Sequence, residues 1–505
     1  MYYENKKNLK SIKYKKFNCS PFFEGVKLDE NEKIIKLNQS VMSYNYNFND
    51  GSLKDGLGIN LAPIRYTPNN RDDEKVLYPP EGEEFDTFWL FNYWYGIGLV
   101  NIILLAYTKS GNFYYHILHN EGTDFIKCGS MNFQERPMVV STIIDDKDYI
   151  LFFSRKDGMY KWNLLKTEGE KVESSESIRS VCYIYNKLFI LTYNKRDTIY
   201  YSDSANPADF SSGSDMVKSI VFEDGLGQIK KLVSFKGCLY AFREFNIVKI
   251  NYDFEKDIFK TTQIFAGNSF IYDNTIAVCG DKIIYLAIDG LYVFDGVKCK
   301  KLNMSFDKLL NVKANNYAIG GFVEGEYYLA CSLDFDDGEI MGSEAQYISK
   351  NNSLIKINVE SKKYTILRGV DVLSMSILND RFDTNVILSC VTTWDKDTTI
   401  FGTLDMSGTI NGNPTRKVWK TPMYDFGDCF NYKIIKDMTI ESLADCELKI
   451  NYDNKEKIIY IKGKSEVQKI PLYLKAKRVS LTFVSNVNNV EIINPILNVG
   501  FVKNE

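Results

Sequence analysis

One short plan recurs along this chain, and it narrows the folds open to it more than any other feature. A short apolar strand reaches a tight turn, a second apolar or aromatic strand follows, and a polar break closes the unit. Phe235-Lys236-Gly237 followed by Cys238–Phe242 is one copy, and Ile283–Ile288, Asp289-Gly290 and Leu291–Phe294 is another. Short apolar runs split by Gly-containing turns predict antiparallel strands. Related groups extend on both sides, from Val100–Thr108 with Phe113–Leu118 to Val386–Val391 with Thr398–Leu404. Comparable turns lie 47 residues apart at Gly111 and Gly158, and 46 apart at Glu244 and Gly290. A period of about 40–50 residues with three or four strands per unit is that of propeller blades. Stacked sandwiches would give a similar strand count, but the regular period favours the propeller.

Composition points the same way. The 505 residues include 34 Tyr and 32 Phe but only 5 Trp and 2 His. Tyr and Phe suit pleated, half-buried surfaces. The expectation is an all-β chain: a β-propeller of about seven blades, a C-terminal β-sandwich and an extended N-terminal arm. The boundaries read as 1–60 for the arm and entry strands, 61–413 for the propeller and 414–505 for the sandwich. Within the arm, Met1–Pro21 is Lys/Asn-rich and reads as exposed. After Asn413-Pro414 the texture changes, and six or so alternating strands run from Lys433 to Val499.

With 62 basic and 65 acidic residues the net charge is −3, so no broad electrostatic grip on nucleic acid is implied. The 10 Cys stand singly and form no C-x-x-C pair, which argues against a zinc site. Cys238, Cys279, Cys331 and Cys390 sit in apolar strands and read as small core residues in a reducing cytosol. The basic N-terminus has no apolar segment of signal-peptide type. Ile97–Tyr107 is too short to span a bilayer and contains Asn101. A soluble protein with no membrane span is expected.

Several of these stretches resemble β-propeller virion proteins of tailed bacteriophages, the tail-tube or nozzle-like and connector-proximal group. Tyr200–Phe210, YYSDSANPADF, is similar to a recurrent "Y-S-D…N-P-x-x-F" line of that family. Gly227–Ile250 resembles the blade that follows it. Lys282–Leu302 resembles a blade carrying "D-G-x-Y-x-F-D-G". Trp419–Gly427 followed by Lys433 resembles the junction into the terminal sandwich. Asn45–Gly58 resembles the entry segment, although Asp55 stands where many relatives carry a basic residue. The likeness spans most of residues 40–500 and leaves Met1–Pro21 outside. It implies a virion protein of tail or connector, made in the bacterial cytoplasm. Such a protein forms a homo-oligomeric ring, docks to other virion proteins, and lets double-stranded DNA pass without specific binding. It implies no enzyme activity and no cofactor. The residues expected to shape the fold are Asn206, Pro207, Phe210, Gly237, Gly290, Gly296 and Trp419, with Gly111 and Gly158 at further turns.

The alternatives have their own residues. A propeller at a particle tip could bind a host receptor or surface glycan, and Phe85–Tyr95, FDTFWLFNYWY, is the densest aromatic run. A buried first-blade strand explains that run as well. A glycan hydrolase would need paired carboxylates; the candidates Glu223, Asp224, Asp289 and Asp295 lie at turns, where acids serve the backbone. His116 and His119 would point to opposite faces of a strand, which defeats chelation. Asp334–Glu339 resembles a fragment of a calcium loop without the full pattern.

Overall fold

The computed structural model describes residues 12–501 apart from 24, 28–35, 62–63, 66–73, 76–78, 96–98, 118–123, 145–146, 164–168, 172–176, 203–217, 266–269, 337–349, 380–383 and 393–398. The described residues form strands and turns, with three 3-10 turns and no α-helix.

Six four-stranded antiparallel sheets follow one another in chain order, each with its strands in sequential order. The first runs Phe85–Tyr95, Leu99–Thr108, Asn112–Ile117, Ile126–Asn132; the fourth runs Ile229–Phe235, Cys238–Arg243, Asn246–Asp253, Ile258–Phe265. The seventh differs. It takes Val370–Asn379, Thr384–Thr392 and Ile400–Asp405 from one end of the chain and Gly58–Leu61 from the other. Leu404 pairs with Ile59 across that join.

Successive sheets share apolar layers. Leu105, Phe113 and Cys128 meet Ile150, Phe152 and Trp162 between the first and second. Val233, Phe242 and Ile247 meet Ile283, Tyr285 and Phe294 between the fourth and fifth. The seventh packs on the first: Phe88 and Leu90 share a layer with Ile387, and Ser374 Oγ donates to the Phe88 carbonyl at 2.7 Å. The series therefore closes on itself, a propeller-like arrangement. Phe85–Tyr95 is the first strand of its sheet, and Phe88 lies 4.8 Å from Phe401 across the closure.

Two further sheets lie at the termini. A six-stranded sheet orders Tyr46–Asn47, Leu53–Asp55, Glu491–Phe501, Lys433–Ser442 and Lys464–Ala476, with Tyr14–Asn18 also paired to Glu491–Phe501. A five-stranded sheet orders Met42–Tyr44, Lys417–Lys420, Val479–Ser485, Cys446–Tyr452 and Lys455–Ile461. Their inner faces share one apolar core, which continues into the fifth and sixth sheets through Leu291, Phe306, Leu329 and Tyr364.

Sheet membership cuts across the sequence boundaries. Residue 60 falls inside Gly58–Leu61, which belongs to the seventh sheet, and residue 413 falls inside the short strand Asn413–Pro414. Tyr14–Asn18, Met42–Tyr44 and Leu53–Asp55 pair with strands more than 300 residues away. Tyr14–Asn18, expected within an exposed arm, is largely exposed and pairs with residues 496–500. Ile97–Tyr107 falls mostly in the strand Leu99–Thr108, and no helix among the described residues is long and apolar enough to cross a membrane. All ten cysteines are free. Cys279, Cys331 and Cys390 are buried as expected, and burial pushes the Cys390 thiol up to about 12. Cys238 is half-buried instead and lies 3.2 Å from Asn251 Oδ1.

Candidate functional site

In every ring sheet the turn between the second and third strands, and the link from the fourth strand to the next sheet, lie at the same end. Gly111, Gly158, Glu244 and Gly290 all sit in second-to-third turns. The periodic markers of the sequence therefore come from one loop face. A depression of that face, about 710 Å³, lies between the third and fourth sheets. Asn194–Asp197 come from one turn, Phe222–Gln228 from the link, and Arg243-Glu244 from the next turn.

The strand Cys238–Arg243 runs apolar until its last residue, so the chain carries Arg243 into the core with 1% of its surface exposed. A buried guanidinium requires a partner and a full set of acceptors. Asp224 supplies two bonds of 2.6 Å, Gly227 O accepts two more, and the Phe222 ring lies 5.2 Å away. Hydrogen bonding to Arg243 holds the Asp224 carboxyl down at about 2. Beside it Lys230 donates to Glu244 at 2.8 Å and lies 4.1 Å above the Phe270 ring. Burial lowers the Lys230 ammonium; for Glu244 burial works upward most strongly, but the bonds from Lys230 and the Gln228 N–H together with the charges of Lys230 and Arg179 outweigh it, and the net shift is downward. Both carboxylates are charge-paired, which favours their ionised forms. A glycosidase pair needs one carboxylic acid protonated near neutral pH, which these two pairings disfavour.

The same face is laced by contacts between neighbouring sheets. Arg136 grips Asp86 with bonds of 2.6 and 2.8 Å, and Arg179 reaches Asp273 at 3.1 Å. Arg155 and Arg179 both lie over Tyr193. One carboxyl of the face is shifted the other way. Burial raises Asp307 to about 6, and its oxygens lie 2.7 Å from where a Cβ on Gly290 would sit.

The residues singled out from the sequence separate widely. Gly290 (φ +140°) and Gly296 (φ +101°) are turn positions of the fifth sheet, and Gly237 (φ +69°) a turn of the fourth. Asn206, Pro207 and Phe210 lie outside the described residues. Trp419 is fully buried at the terminal sheets, edge-on to Phe22 at 5.0 Å and to Phe48 at 5.4 Å. Glu223 lines the pocket, and Asp224 is held behind it by Arg243. Asp289 accepts from Tyr292 and Lys301, and Asp295 caps the backbone of Val297 and Lys298, which is turn chemistry. His116 is buried, with Nδ1 3.1 Å from Asp124 O; His119 lies outside the described residues. Asp334 accepts from Asn311 Nδ2, while 337–339 lie outside the described residues. Among the described residues no three His, Cys, Asp or Glu side chains group as metal ligands. Arg243 and Lys230 were not singled out. A charged residue closing an otherwise apolar strand was the available signal.

No family model and no curated protein matches the sequence. Solved structures with some likeness include the computationally designed Ika8 protein, at TM-score 0.37 and 9% identity over 67% of this chain and 95% of that one. YCF48 from Cyanidioschyzon merolae gives 0.31 and 9% over 45% and 76%. BBS1N, crystallised in complex with ARL6DN and soaked with lead, gives 0.39 and 10% over 63% and 92%. At these scores the fold description rests on the strand order.

Proposed function

We propose that this chain is a non-enzymatic structural protein of a tailed-phage or prophage-derived particle. On this reading the closed series of sheets is a seven-bladed propeller and the two terminal sheets are a β-sandwich. Copies pack into a ring of the tail, nozzle or connector region, beside other virion proteins, and double-stranded DNA passes through without specific binding. The resemblance of residues 40–500 to that family is one support. The observation that carries the reading is a free strand edge on the terminal sheets. Lys455–Ile461 ends the five-stranded sheet and turns Ile458 and Tyr460 outwards, Tyr460 with 77% of its surface exposed. A free edge with outward apolar side chains is a surface that a neighbouring protein covers. Strands Tyr14–Asn18, Met42–Tyr44, Leu53–Asp55 and Gly58–Leu61 also join ring and terminal sheets, and a rigid body suits repeated packing.

The test is the mass of the purified protein by light scattering, followed by electron microscopy. A closed ring with a DNA-wide hole, lost in Ile458→Glu/Tyr460→Glu, is expected. A monomer at all concentrations, unchanged by that variant, overturns the assembly reading.

A second reading is receptor or glycan binding, and one observation favours it. Phe254, 73% exposed, stands edge-on to Tyr252 at 4.6 Å and near Tyr185 at 6.1 Å, with Tyr201 and Phe259 beyond. Exposed aromatic faces of this kind stack on sugars. A glycan array probed with the monomer separates it from the first reading.

A further inference from the structure

The outer face of the six-stranded terminal sheet carries a ligand-binding character that the net charge conceals. Residues 464–478, its edge strand and the turn that follows, hold five Lys or Arg against Glu466, a local excess of +4 in a chain of net charge −3. Side chains alternate along strands, and the register shows which of them share the outer face. Tyr14 pairs with Gly500, Gly500 with Ile434, and Ile434 with Lys475, one row across four strands. Lys433 and Ile435 point into the core, so Tyr432, Ile434 and Lys436 point out. Tyr473 and Lys475 stand on the same outer side, since Leu472, Leu474 and Ala476 are buried.

Three tyrosines and their lysines are arranged together on this face. A Cβ on Gly500 would lie 2.8 Å from the Tyr14 ring, so the missing side chain lets that ring lie down on the sheet. Lys436 Nζ is 5.3 Å from the centre of Tyr14, and the ammonium groups of Lys475 and Lys477 are 5.1 and 5.2 Å from that of Tyr432. Tyr473 is held in a left-handed conformation, φ +49°, beside a register shift in its pairing with Lys433–Ser442, and leaves 75% of its surface exposed. A bulky residue there is strained, and such strain persists where the surroundings fix it. Lys469 is paired with Asp437 at 3.4 Å. The ammonium groups of Lys436, Lys475 and Lys477 lie beside rings, while the Lys477 backbone N–H donates to the Asp453 carboxylate at 3.2 Å.

We propose that this face binds single-stranded nucleic acid: lysines 436, 475 and 477 take the phosphates, and Tyr14, Tyr432 and Tyr473 stack the bases. Exposed aromatics on an open, basic sheet supply both parts of that recognition. An acidic protein surface would use the lysines and leave the rings idle, and a duplex hides its bases. The inference is independent of the assembly reading, whose free edge belongs to the other sheet.

Anisotropy of fluorescein-labelled dT20 with the full chain, between 50 and 200 mM salt, tests it. With three or four phosphates engaged, log K should fall against log salt with a slope of about −2 to −3. Lys436→Gln/Lys475→Gln/Lys477→Gln should flatten that slope and weaken binding at least tenfold. Tyr432→Ala/Tyr473→Ala should weaken it about tenfold with the slope kept, because stacking is insensitive to salt. U20 reports whether the sugar matters, and a 20-base-pair duplex and poly-glutamate serve as competitors. No binding, or equal affinity for duplex or poly-glutamate, overturns the proposal; the second result assigns the face to polyanions or acidic proteins. The salt series on the unaltered chain decides the matter even if a variant fails to fold.

Discussion

The outer strands of the second and sixth ring sheets occupy the same place in their sheets and differ in every other respect. Glu170–Lys171 is two residues long, and both are exposed. Tyr364–Arg368 is five residues long, and all five are buried. The difference is what lies beyond. The second sheet ends at Glu170–Lys171, whereas the sixth is covered by Gly25, Val26, Tyr44–Phe48 and the terminal sheets. Tyr364 OH meets Ser305 Oγ at 2.7 Å and accepts from Val26 N at 3.1 Å, and its ring is edge-on to Phe48 and Phe306. An outer strand is thus polar or apolar according to its cover, and burial follows the neighbour more than the position in the repeat.

The largest effects should come from breaking that cover. Lys417 is fully buried, with Nζ 3.0 Å from Asp55 and 2.9 Å from the Val487 carbonyl, and further bonds to Gly408 and Thr415. It joins the seventh ring sheet to both terminal sheets. Lys417→Met strands the Asp55 charge and should cost about 3–5 kcal/mol by urea denaturation, while Lys417→Met/Asp55→Leu should recover most of it. Equal losses in the two variants would show that the lysine acts through packing alone. Tyr364→Ala should cost about 3–5 kcal/mol, whereas Val221→Ala in the outer strand of the third sheet, 50% exposed, should cost under about 0.5. Similar values would erase the contrast between covered and open edges.

The same contrast explains what could be read from the amino-acid sequence. Inner and middle strands such as Leu99–Thr108, Cys238–Arg243 and Gly290–Phe294 lie within one residue of the expected Val100–Thr108, Cys238–Phe242 and Leu291–Phe294, because they are apolar and their turns need glycine. Outer strands such as Glu170–Lys171 and Cys299–Lys301 went unread; they are short and polar and carry no periodic signal. Gly58–Leu61 could not be assigned to the seventh sheet, since its partner lies some 340 residues on and only the closed ring brings them together. The site was less visible still. Arg243 finds Asp224 through a loop, and the basic face assembles Tyr14 with residues 432–436 and 473–477.

Asn45 sharpens the comparison at the next level down. Its φ of +60° turns the chain so that one residue caps the covered edge. The backbone N–H donates to Ile366 O, Oδ1 accepts from Arg368 N, both at 2.7 Å, and Nδ2 donates to the Arg368 and Arg416 carbonyls. Asn45→Ala leaves buried groups at this edge without partners and should cost about 2 kcal/mol, read as a lower midpoint with unchanged m. A fall in m would mean that the cover detaches separately from the ring.

Asp307 gives the smallest effect and the one with a sign. It lies where the fifth sheet meets the sixth, and burial raises its carboxyl to about 6; Asp289 adds to this, while Lys301 and the Met304 N–H oppose it. A carboxyl raised above its unfolded value of about 3.9 binds more protons folded than unfolded, so stability is full below about pH 4 and declines as pH rises toward 6. At pH 7 the deficit is at most about 3 kcal/mol, and less once solvent screens this half-buried group. Asp307→Asn keeps an acceptor for Met304 N–H and removes the charge. It should be more stable than the parent at pH 7, equal to it at pH 4, and flat between. A variant less stable at pH 7 would show that the ionised carboxylate has a partner on the covered side, and that burial is compensated there as it is at Arg243.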